Sequence, residues 1–352
     1  MKTEVPMSTG EKHSARKKRR KKRIFFRTIL CLVILASVVG AALWYRISVK
    51  RKLDVSEPYQ IDHENDTSRL SAFALQSLTG TGTDLVASEA EEGSDKLSLS
   101  EGTERALLFN LDDKSAVFAH GIYDRVYPAS LTKIMTALVC LENASMSATV
   151  TMQDSDFDLD TDAQQSQLDS GDTLTMEDLM KLLLVYSANE AAMAIARTVA
   201  GSTEAFVAKM NEKAAELGMT GTHFVNPTGL HDDDHYTTPY DIYLMMNAAY
   251  QHPEFAQMAS IDSLEVSVTG TEGESTFTEE STDEYLTGIY SLPQNITIMA
   301  SKTGTTDEAG SCLALIVQNG YGVSYCAIVT GASDKDTLYG DMSSLLSLVN
   351  EG

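Results

Sequence analysis

The sequence predicts an α/β fold of the α+β type: an antiparallel five-stranded sheet flanked by helices, with a mostly helical subdomain inserted. Two observations predict it. Strand-like apolar runs lie at both ends of the domain, two soon after residue 105 and three after residue 295, and the chain between them has mainly helical patterns. Strands from both ends that share one core are expected to pair in a single sheet.

Residues 1–102 are predicted to anchor and space this domain. Residues 1–27 form a basic tail, which we expect to be cytoplasmic, and residues 28–45 carry no charge over 18 positions, near the minimum for a membrane span. A basic run before an apolar span places the following domain outside the cytoplasm. The alternative is a signal peptide cleaved near Gly40, which also exports the domain. Residues 46–102 are rich in acidic and small polar residues and are predicted to be a flexible spacer.

The charge distribution excludes one class of partner. Residues 1–52 hold 15 of the 27 basic residues and two of the 50 acidic ones, so the remainder has a net charge of −36. A domain this acidic is not expected to bind nucleic acid.

The folded domain is predicted to span residues 103–352 and to begin with a hairpin and a buried helix. Residues 106–109 and 116–119 predict two strands joined by a polar turn. The next helix is predicted to begin near Ser130, and it is apolar nearly all round. Lys133 follows Ser130 by three positions and shares its face. A lysine in a dry pocket can lose its proton and activate a serine. The alternative is that Ser130 caps the helix and Lys133 extends to solvent.

Helices are predicted to dominate the middle of the domain, and strands its end. Thr175, Ser202 or Thr203, and Thr238 are suitable N-terminal caps. The predicted helices are 176–185, 189–200, 203–218 and one beginning at 239, with a final helix over 338–349. The predicted strands are 264–268, 296–302, 313–318 and 323–330, and residues 271–283 are predicted to form an acidic loop.

Three short motifs occur in order: Ser130-x-x-Lys133, Ser187-Ala188-Asn189 and Lys302-Thr303-Gly304. Each is weak alone, but the first opens a buried helix, the second lies between two helices and the third ends an apolar strand. Together they resemble the motifs of penicillin-recognising serine enzymes. Longer segments at 128–133, 222–230 and 302–306 resemble low-molecular-mass D-alanyl-D-alanine carboxypeptidases, over roughly residues 105–330.

The resemblance implies a β-lactamase/DD-peptidase-like fold whose helical subdomain carries the second motif. It also implies a role for each residue: Ser130 as nucleophile, Lys133 as its base and Ser187 as a proton relay. The substrate-binding residues it implies are Asn189, Lys302, Thr303, Gly304 and Thr305. Backbone N–H groups of Ser130 and Thr305 would bind the oxyanion. The implied substrate is a peptidoglycan stem peptide ending in D-Ala-D-Ala, with β-lactams as covalent inhibitors.

Some features depart from the pattern or leave alternatives open. Ala188 replaces the more usual glycine, and Lys335 is the only basic residue shortly after the last strand. Residues 231–235 contain two histidines and three aspartates, but they resemble a loop of the same family, and neither a metal nor a cofactor is expected.

The oxidation state of two cysteines also stays open. A disulfide between Cys312 and Cys326 is possible outside the cell, although two reduced core cysteines are favoured.

The competing functions are a non-catalytic sensor or scaffold that binds penicillin, and a β-lactamase. A β-lactamase needs a second base for fast deacylation, and no Glu-x-x-Leu-Asn pattern supplies one.

Overall fold

The computed structural model describes residues 97–161, 163–271 and 273–350. The predicted basic tail, the predicted anchor at 28–45 and most of the predicted spacer lie outside these ranges. Within them, no helix is both long enough and apolar enough to cross a membrane.

Strands from both ends of the domain form the main sheet, as predicted. Its strand order is β2-β1-β9-β8-β7, and every neighbouring pair is antiparallel. The strands are β1 (Arg105–Asn110), β2 (Ser115–His120), β7 (Ile296–Thr306), β8 (Gly310–Asn319) and β9 (Ser324–Ala332). Because β1 pairs with β9, the two ends of the domain close one sheet around the helical segment between them.

The two faces of this sheet bury two apolar clusters. On β8, Ala314 and Ile316 pack toward the helical subdomain, whereas Leu313, Leu315 and Val317 pack on the other face. This alternation is the period of two that a strand buried on both faces shows. The final helix covers the second cluster, so the sheet is shielded from water on both sides.

The helices predicted in the domain are all present with small differences in their ends, and α6 is an additional one. The helices are α1 (Thr132–Asn143), α2 (Met176–Lys181), α3 (Asn189–Ala200), α4 (Thr203–Glu216), α5 (Pro239–Tyr250), α6 (Pro253–Ala259) and α7 (Lys335–Ser347). Helix α2 continues as a π-helical turn over Leu182–Tyr186. Helix α1 is buried along its first nine residues, which explains why its sequence is apolar nearly all round.

A second sheet of four strands corrects one prediction. Its order is β3-β4-β5-β6, with strands β3 (Thr149–Thr151), β4 (Thr173–Thr175), β5 (Ser263–Gly270) and β6 (Gly273–Glu280). The loop predicted at 271–283 is wrong, since most of it is β6, paired with β5 along its whole length. Strand β6 lies at the sheet edge and is exposed at most positions, so its sequence lacks the apolar alternation by which strands are recognised.

In the described ranges, Cys140, Cys312 and Cys326 are free and buried. Cys312 pairs in register with Gly304, and Cys326 pairs with Ile316, so the two do not face each other. The favoured prediction of reduced core cysteines is confirmed.

Candidate active site

A short turn places Ser130 just before the N-terminus of the buried helix α1. A 3₁₀ turn over Ala129–Leu131 leads directly into α1, so Ser130 lies one turn before Lys133. The Lys133 Nζ lies 2.9 Å from the Ser130 Oγ. Ala129 has a φ of 45°, in the left-handed region, which costs an ordinary residue about 1 to 3 kcal/mol. The surrounding structure must therefore hold this turn in place.

Lys133 is fully buried and has three polar contacts. Besides Ser130 Oγ, its Nζ donates to Asn189 Oδ1 at 2.8 Å and to the Thr228 carbonyl at 2.7 Å. Burial lowers the pKa of Lys133 well below its usual value, and the nearby charge of Lys302 lowers it further, against a smaller opposing effect of Glu190. This shift favours the neutral amine, and a neutral amine can accept a proton.

The second motif joins the π-helical turn to α3. Ser187 has a φ of 67° at the end of that turn, which points its side chain toward the sheet rather than along the helix. Ala188 has a φ of −59°, so the position that more often holds glycine needs no positive φ, and alanine fits. Asn189 begins α3, and both its backbone N–H and its Nδ2 donate to the Gln164 carbonyl at 3.0 Å.

The third motif lies on β7, the edge strand of the main sheet. Lys302 is 1% exposed, and its Nζ donates to Ser187 Oγ at 3.0 Å and to the Thr303 carbonyl at 2.9 Å. Burial lowers the pKa of Lys302 to about 7, partly offset by the carboxylate of Asp283. A carboxylate that binds beside such a lysine raises its pKa and so favours the protonated, positively charged form.

Two glycines let the backbone approach the Ser130 turn closely. A Cβ at Gly304 would lie 2.9 Å from the Ser130 amide nitrogen, and a Cβ at Gly229 would lie 1.9 Å from the Ala129 carbonyl oxygen. Strand β7 and the loop that holds Gly229 thus clamp the turn from two sides. A side chain at either position would displace the turn.

The three motifs meet around one cavity of about 590 Å³. Among the predicted site residues, those that line it are Ser130, Ser187, Asn189, Thr303, Gly304 and Thr305. The remaining two, Lys133 and Lys302, are buried behind its wall. The structure therefore brings together all eight residues that the sequence singles out.

Several polar residues that support the site were not predicted. Thr282 lines the cavity and lies 2.5 Å from Thr303, hydroxyl to hydroxyl. Asp283 is buried and accepts hydrogen bonds from Ser301 and Tyr339, which ties the residue before the third motif to α7.

A buried acid follows Asn189. Glu190 accepts hydrogen bonds from the backbone and hydroxyl of Ser166, and so holds the segment that forms one wall of the cavity. Its burial raises the pKa of its carboxyl. A charged residue directly after the second motif, on a helix face that is otherwise apolar, was the one sequence signal for this contact.

The histidine-rich segment at 231–235 has a structural explanation. No group of three or more histidine, cysteine or acidic side chains in the described ranges is arranged to hold a metal ion. His235 is instead buried against Thr132, and burial lowers its pKa to about 4. Lys335 also lines the cavity and forms an ion pair with Glu284.

Comparisons with known proteins agree with this geometry. The sequence model of a family described as D-alanyl-D-alanine carboxypeptidase, peptidase family S11, matches residues 102–334. The D-alanyl-D-alanine carboxypeptidase DacF of Bacillus subtilis is 31% identical over 250 residues, which cover 69% of this chain and 61% of that protein. A D-alanyl-D-alanine endopeptidase of Escherichia coli is 28% identical over 293 residues, covering 80% of this chain and 84% of the relative.

A solved structure shares the fold. The crystal structure of a Streptomyces DD-transpeptidase superposes with a TM-score of 0.65 at 26% identity, covering 72% of this chain and 98% of that one. The fold class predicted from the sequence is thereby confirmed.

Proposed function

The chain belongs to the D-alanyl-D-alanine carboxypeptidase family, and from this we propose that it is a serine-type carboxypeptidase that removes the terminal D-alanine from peptidoglycan stem peptides. The reaction proceeds through an acyl-enzyme on Ser130. The observation that carries the proposal is the contact of 2.9 Å between Lys133 Nζ and Ser130 Oγ. It lies beside a cavity that Ser130 and Ser187 line, and Lys302 reaches Ser187 from behind the cavity wall.

The three contacts of Lys133 suit a neutral amine that acts as a base. Two of its partners, Asn189 Oδ1 and the Thr228 carbonyl, can only accept hydrogen bonds and therefore take both N–H groups of a neutral amine. The lone pair is then left for the third partner, the hydroxyl of Ser130. Lys133 takes that proton as Ser130 Oγ attacks the carbonyl carbon between the two D-alanines.

The second lysine suits the recognition of a carboxylate. Lys302 uses two N–H groups on Ser187 and Thr303, which leaves one N–H and its charge for the terminal carboxylate of the peptide. The hydroxyls of Thr303 and Thr305 border the same cavity and supply further donors. Ser187 delivers a proton to the departing amine when the C–N bond breaks, and Lys302 replaces that proton through their hydrogen bond. When water cleaves the acyl-enzyme, Lys133 returns its proton to Ser130 Oγ, and one of the two protons released from the water recharges Lys302.

The developing negative charge needs fixed donors. The backbone N–H groups of Ser130 and Thr305 fill this role in our proposal, and the absence of a side chain at Gly304 allows the strand to approach the turn. Water then hydrolyses the acyl-enzyme. Without a Glu-x-x-Leu-Asn motif to activate that water, we expect a penicilloyl-enzyme to persist, so β-lactams act as covalent inhibitors rather than substrates.

We also propose that residues 28–45 anchor the protein in the membrane, with the catalytic domain outside the cytoplasm. The support comes from the uncharged run of 18 residues and from the basic run before it. Stem peptides in the mature wall lie on that same side.

Cleavage of cross-links is a second candidate. It is favoured by the E. coli endopeptidase, which this chain matches over 84% of that protein's length.

The test measures the products released by the full chain and by its Ser130→Ala variant. We expect the unaltered protein to release D-alanine from a diacyl-L-Lys-D-Ala-D-Ala peptide, and penicillin to label it at one site. The Ser130→Ala variant should do neither. Release of cross-linked dimer halves without free D-alanine would favour the endopeptidase, and labelling without any turnover would favour the sensor.

A further inference from the structure

His235 is the buried end of a hydrogen-bond chain that reaches the residue before the nucleophile. Its side chain is 2% exposed, and its Nε2 lies 2.8 Å from Thr132 Oγ1. The Thr132 hydroxyl donates in turn to the Ala129 carbonyl, also at 2.8 Å. Both contacts are buried, and the catalytic steps proposed above use neither residue.

The direction of this chain follows from the contacts of the histidine ring. The Val225 backbone N–H donates to His235 Nδ1 at 3.2 Å, so Nδ1 is unprotonated and the ring proton is on Nε2. Nε2–H therefore donates to Thr132 Oγ1, which leaves the Thr132 hydroxyl proton for Ala129. Burial lowers the pKa of His235 to about 4, so the ring is neutral and the order of donors is maintained at physiological pH.

The Ala129 carbonyl, at the end of this chain of hydrogen bonds, belongs to the same rigid peptide unit as the Ser130 amide. The C=O of Ala129 and the N–H of Ser130 belong to one planar trans peptide and point in opposite directions. A hydrogen bond that fixes the Ala129 oxygen therefore fixes the direction of the Ser130 N–H. Ala129 needs this restraint because its φ of 45° is unfavourable, and Gly229 closes the space on the other side of the same oxygen.

We propose that His235 and Thr132 are positioning residues that orient the Ala129–Ser130 peptide, so that the Ser130 N–H points at the oxygen of the attacked carbonyl. This inference rests on the proposed function, since the N–H acts only if Ser130 is the nucleophile. It assigns a role to a histidine that the sequence placed in a metal-like cluster.

Two matched pairs of variants in the full chain test the proposal. Thr132→Val keeps the side-chain shape and removes the hydroxyl, whereas Thr132→Ser keeps the hydroxyl. His235→Gln places an amide N–H near the Nε2 position, whereas His235→Asn places its amide near Nδ1 and leaves Thr132 without a donor. The readouts are kcat and KM for D-alanine release, the rate constant of acylation by benzylpenicillin, affinity for a peptide boronic acid and the Tm.

A misdirected oxyanion donor should affect the tetrahedral state more than substrate binding. We expect Thr132→Val to lower kcat and acylation by about tenfold or more, with KM changed less than about twofold. Affinity for the boronic acid, which forms a tetrahedral adduct, should fall in parallel. Thr132→Ser should stay within about threefold of the unaltered protein, and His235→Gln should retain more activity than His235→Asn.

The results that would overturn the positioning role differ from those that would overturn the proposed function. If the unaltered protein is active and Thr132→Val matches it in kcat, acylation and boronic acid affinity, the positioning role is overturned. It is also overturned if valine and serine lose activity equally, or if the losses only follow the Tm. If Thr132→Val does not fold, the His235 pair decides by the same criteria. An unaltered protein that is neither acylated nor active would instead remove the proposed function.

Discussion

Lys302 Nζ donates a hydrogen bond to Ser187 Oγ across 3.0 Å, which joins the edge strand β7 to the turn before α3. This pair mirrors the contact between Lys133 and Ser130 on the other side of the cavity. The two lysines are both buried, and the charge on Lys302 lowers the pKa of Lys133. Mutual repulsion favours a state with one neutral and one charged lysine, and the proposed reaction needs one base and one cation.

Replacement of Lys302 by glutamine tests the cationic role. Two substrates separate charge recognition from other effects: a peptide ending in D-Ala-D-Ala, and the same peptide with a C-terminal amide. A hydrogen bond to a charged group contributes about 1.5 to 3 kcal/mol. We therefore expect Lys302→Gln to lower kcat/KM for the carboxylate peptide by about ten- to a hundredfold.

The amide peptide is the internal control for that variant. It carries no terminal charge, so when Lys302 is replaced its smaller kcat/KM should lose only the contribution that Lys302 makes to proton delivery at Ser187, which both peptides share. Equal losses on both peptides would mean that Lys302 acts on the chemistry at Ser187 and not on the carboxylate.

The buried charge of Lys302 should also make stability depend on pH. Its pKa is about 7 in the folded chain, against 10.5 for an unperturbed lysine. Below pH 7 both states are protonated, and the folded state bears the full cost of a buried cation. Between about pH 7 and 10 the unfolded state binds more protons, so this contribution favours folding increasingly as the pH rises.

Lys302→Met removes this titration and makes the effect measurable. The methionine variant should gain stability relative to the unaltered protein, with the largest gain below pH 7 and a smaller one at pH 9. Urea unfolding at pH 6 and pH 9 gives the difference in the free energy of unfolding. A difference that grows with pH would contradict the assigned direction of the pKa shift.

The sequence revealed the parts of the fold that leave an apolar pattern in it. Strand β8 is a continuous apolar run because both of its faces are buried, and α1 is apolar all round because it is central. Strand β6 was missed because most of its side chains face water, so its pairing with β5 leaves no apolar pattern.

Prediction of the site from the sequence was limited in the same way, residue by residue. Its eight predicted members lie in short motifs, whose spacing is local. Gln164 supports Asn189 through a backbone carbonyl, which no side-chain pattern encodes. Asp283 reaches Ser301 and Tyr339 across 18 and 56 positions, and only the folded sheet brings them together.

Gly229 should be essential for a reason other than its backbone angle. Gly229 and Gly201 have φ values of 86° and 83°, so alanine is strained at both by about 1 to 2 kcal/mol. A Cβ meets nothing within 4 Å at Gly201, but at Gly229 it would lie 1.9 Å from the Ala129 carbonyl oxygen. We expect Gly229→Ala to lower acylation by about tenfold or more, because the Ser130 turn must move.

Gly201→Ala is the matched control for that prediction. It should lose stability to a similar degree through strain while acylation by penicillin stays unchanged. The measurements are the Tm and the acylation rate constant. If both variants keep normal acylation, the loop at Gly229 does not clamp the turn.

Among the charge pairs of residues 97–161, 163–271 and 273–350, the one between Arg197 and Asp156 should be the most costly to break. Arg197 donates from Nε to one oxygen of Asp156 at 2.8 Å and from Nη2 to the other at 2.6 Å, and the Asp156 side chain is 1% exposed. Arg197→Met leaves a buried carboxylate without its cation, which costs about 3 to 5 kcal/mol. Lys181→Met breaks a pair with Glu177, which is 53% exposed, and should cost about 1 kcal/mol or less.

Urea unfolding of both variants at pH 7 measures the two costs, and a third variant separates their cause. Replacing Asp156 by asparagine in the Arg197→Met background removes the buried charge and should recover part of the lost stability. Equal costs for Arg197→Met and Lys181→Met would show that the Asp156 carboxylate reaches solvent when its partner is lost. Because the chain continues from Asp156 into the cavity wall at Gln164, the Arg197→Met protein should also show a raised KM for the peptide, and Lys181→Met should not.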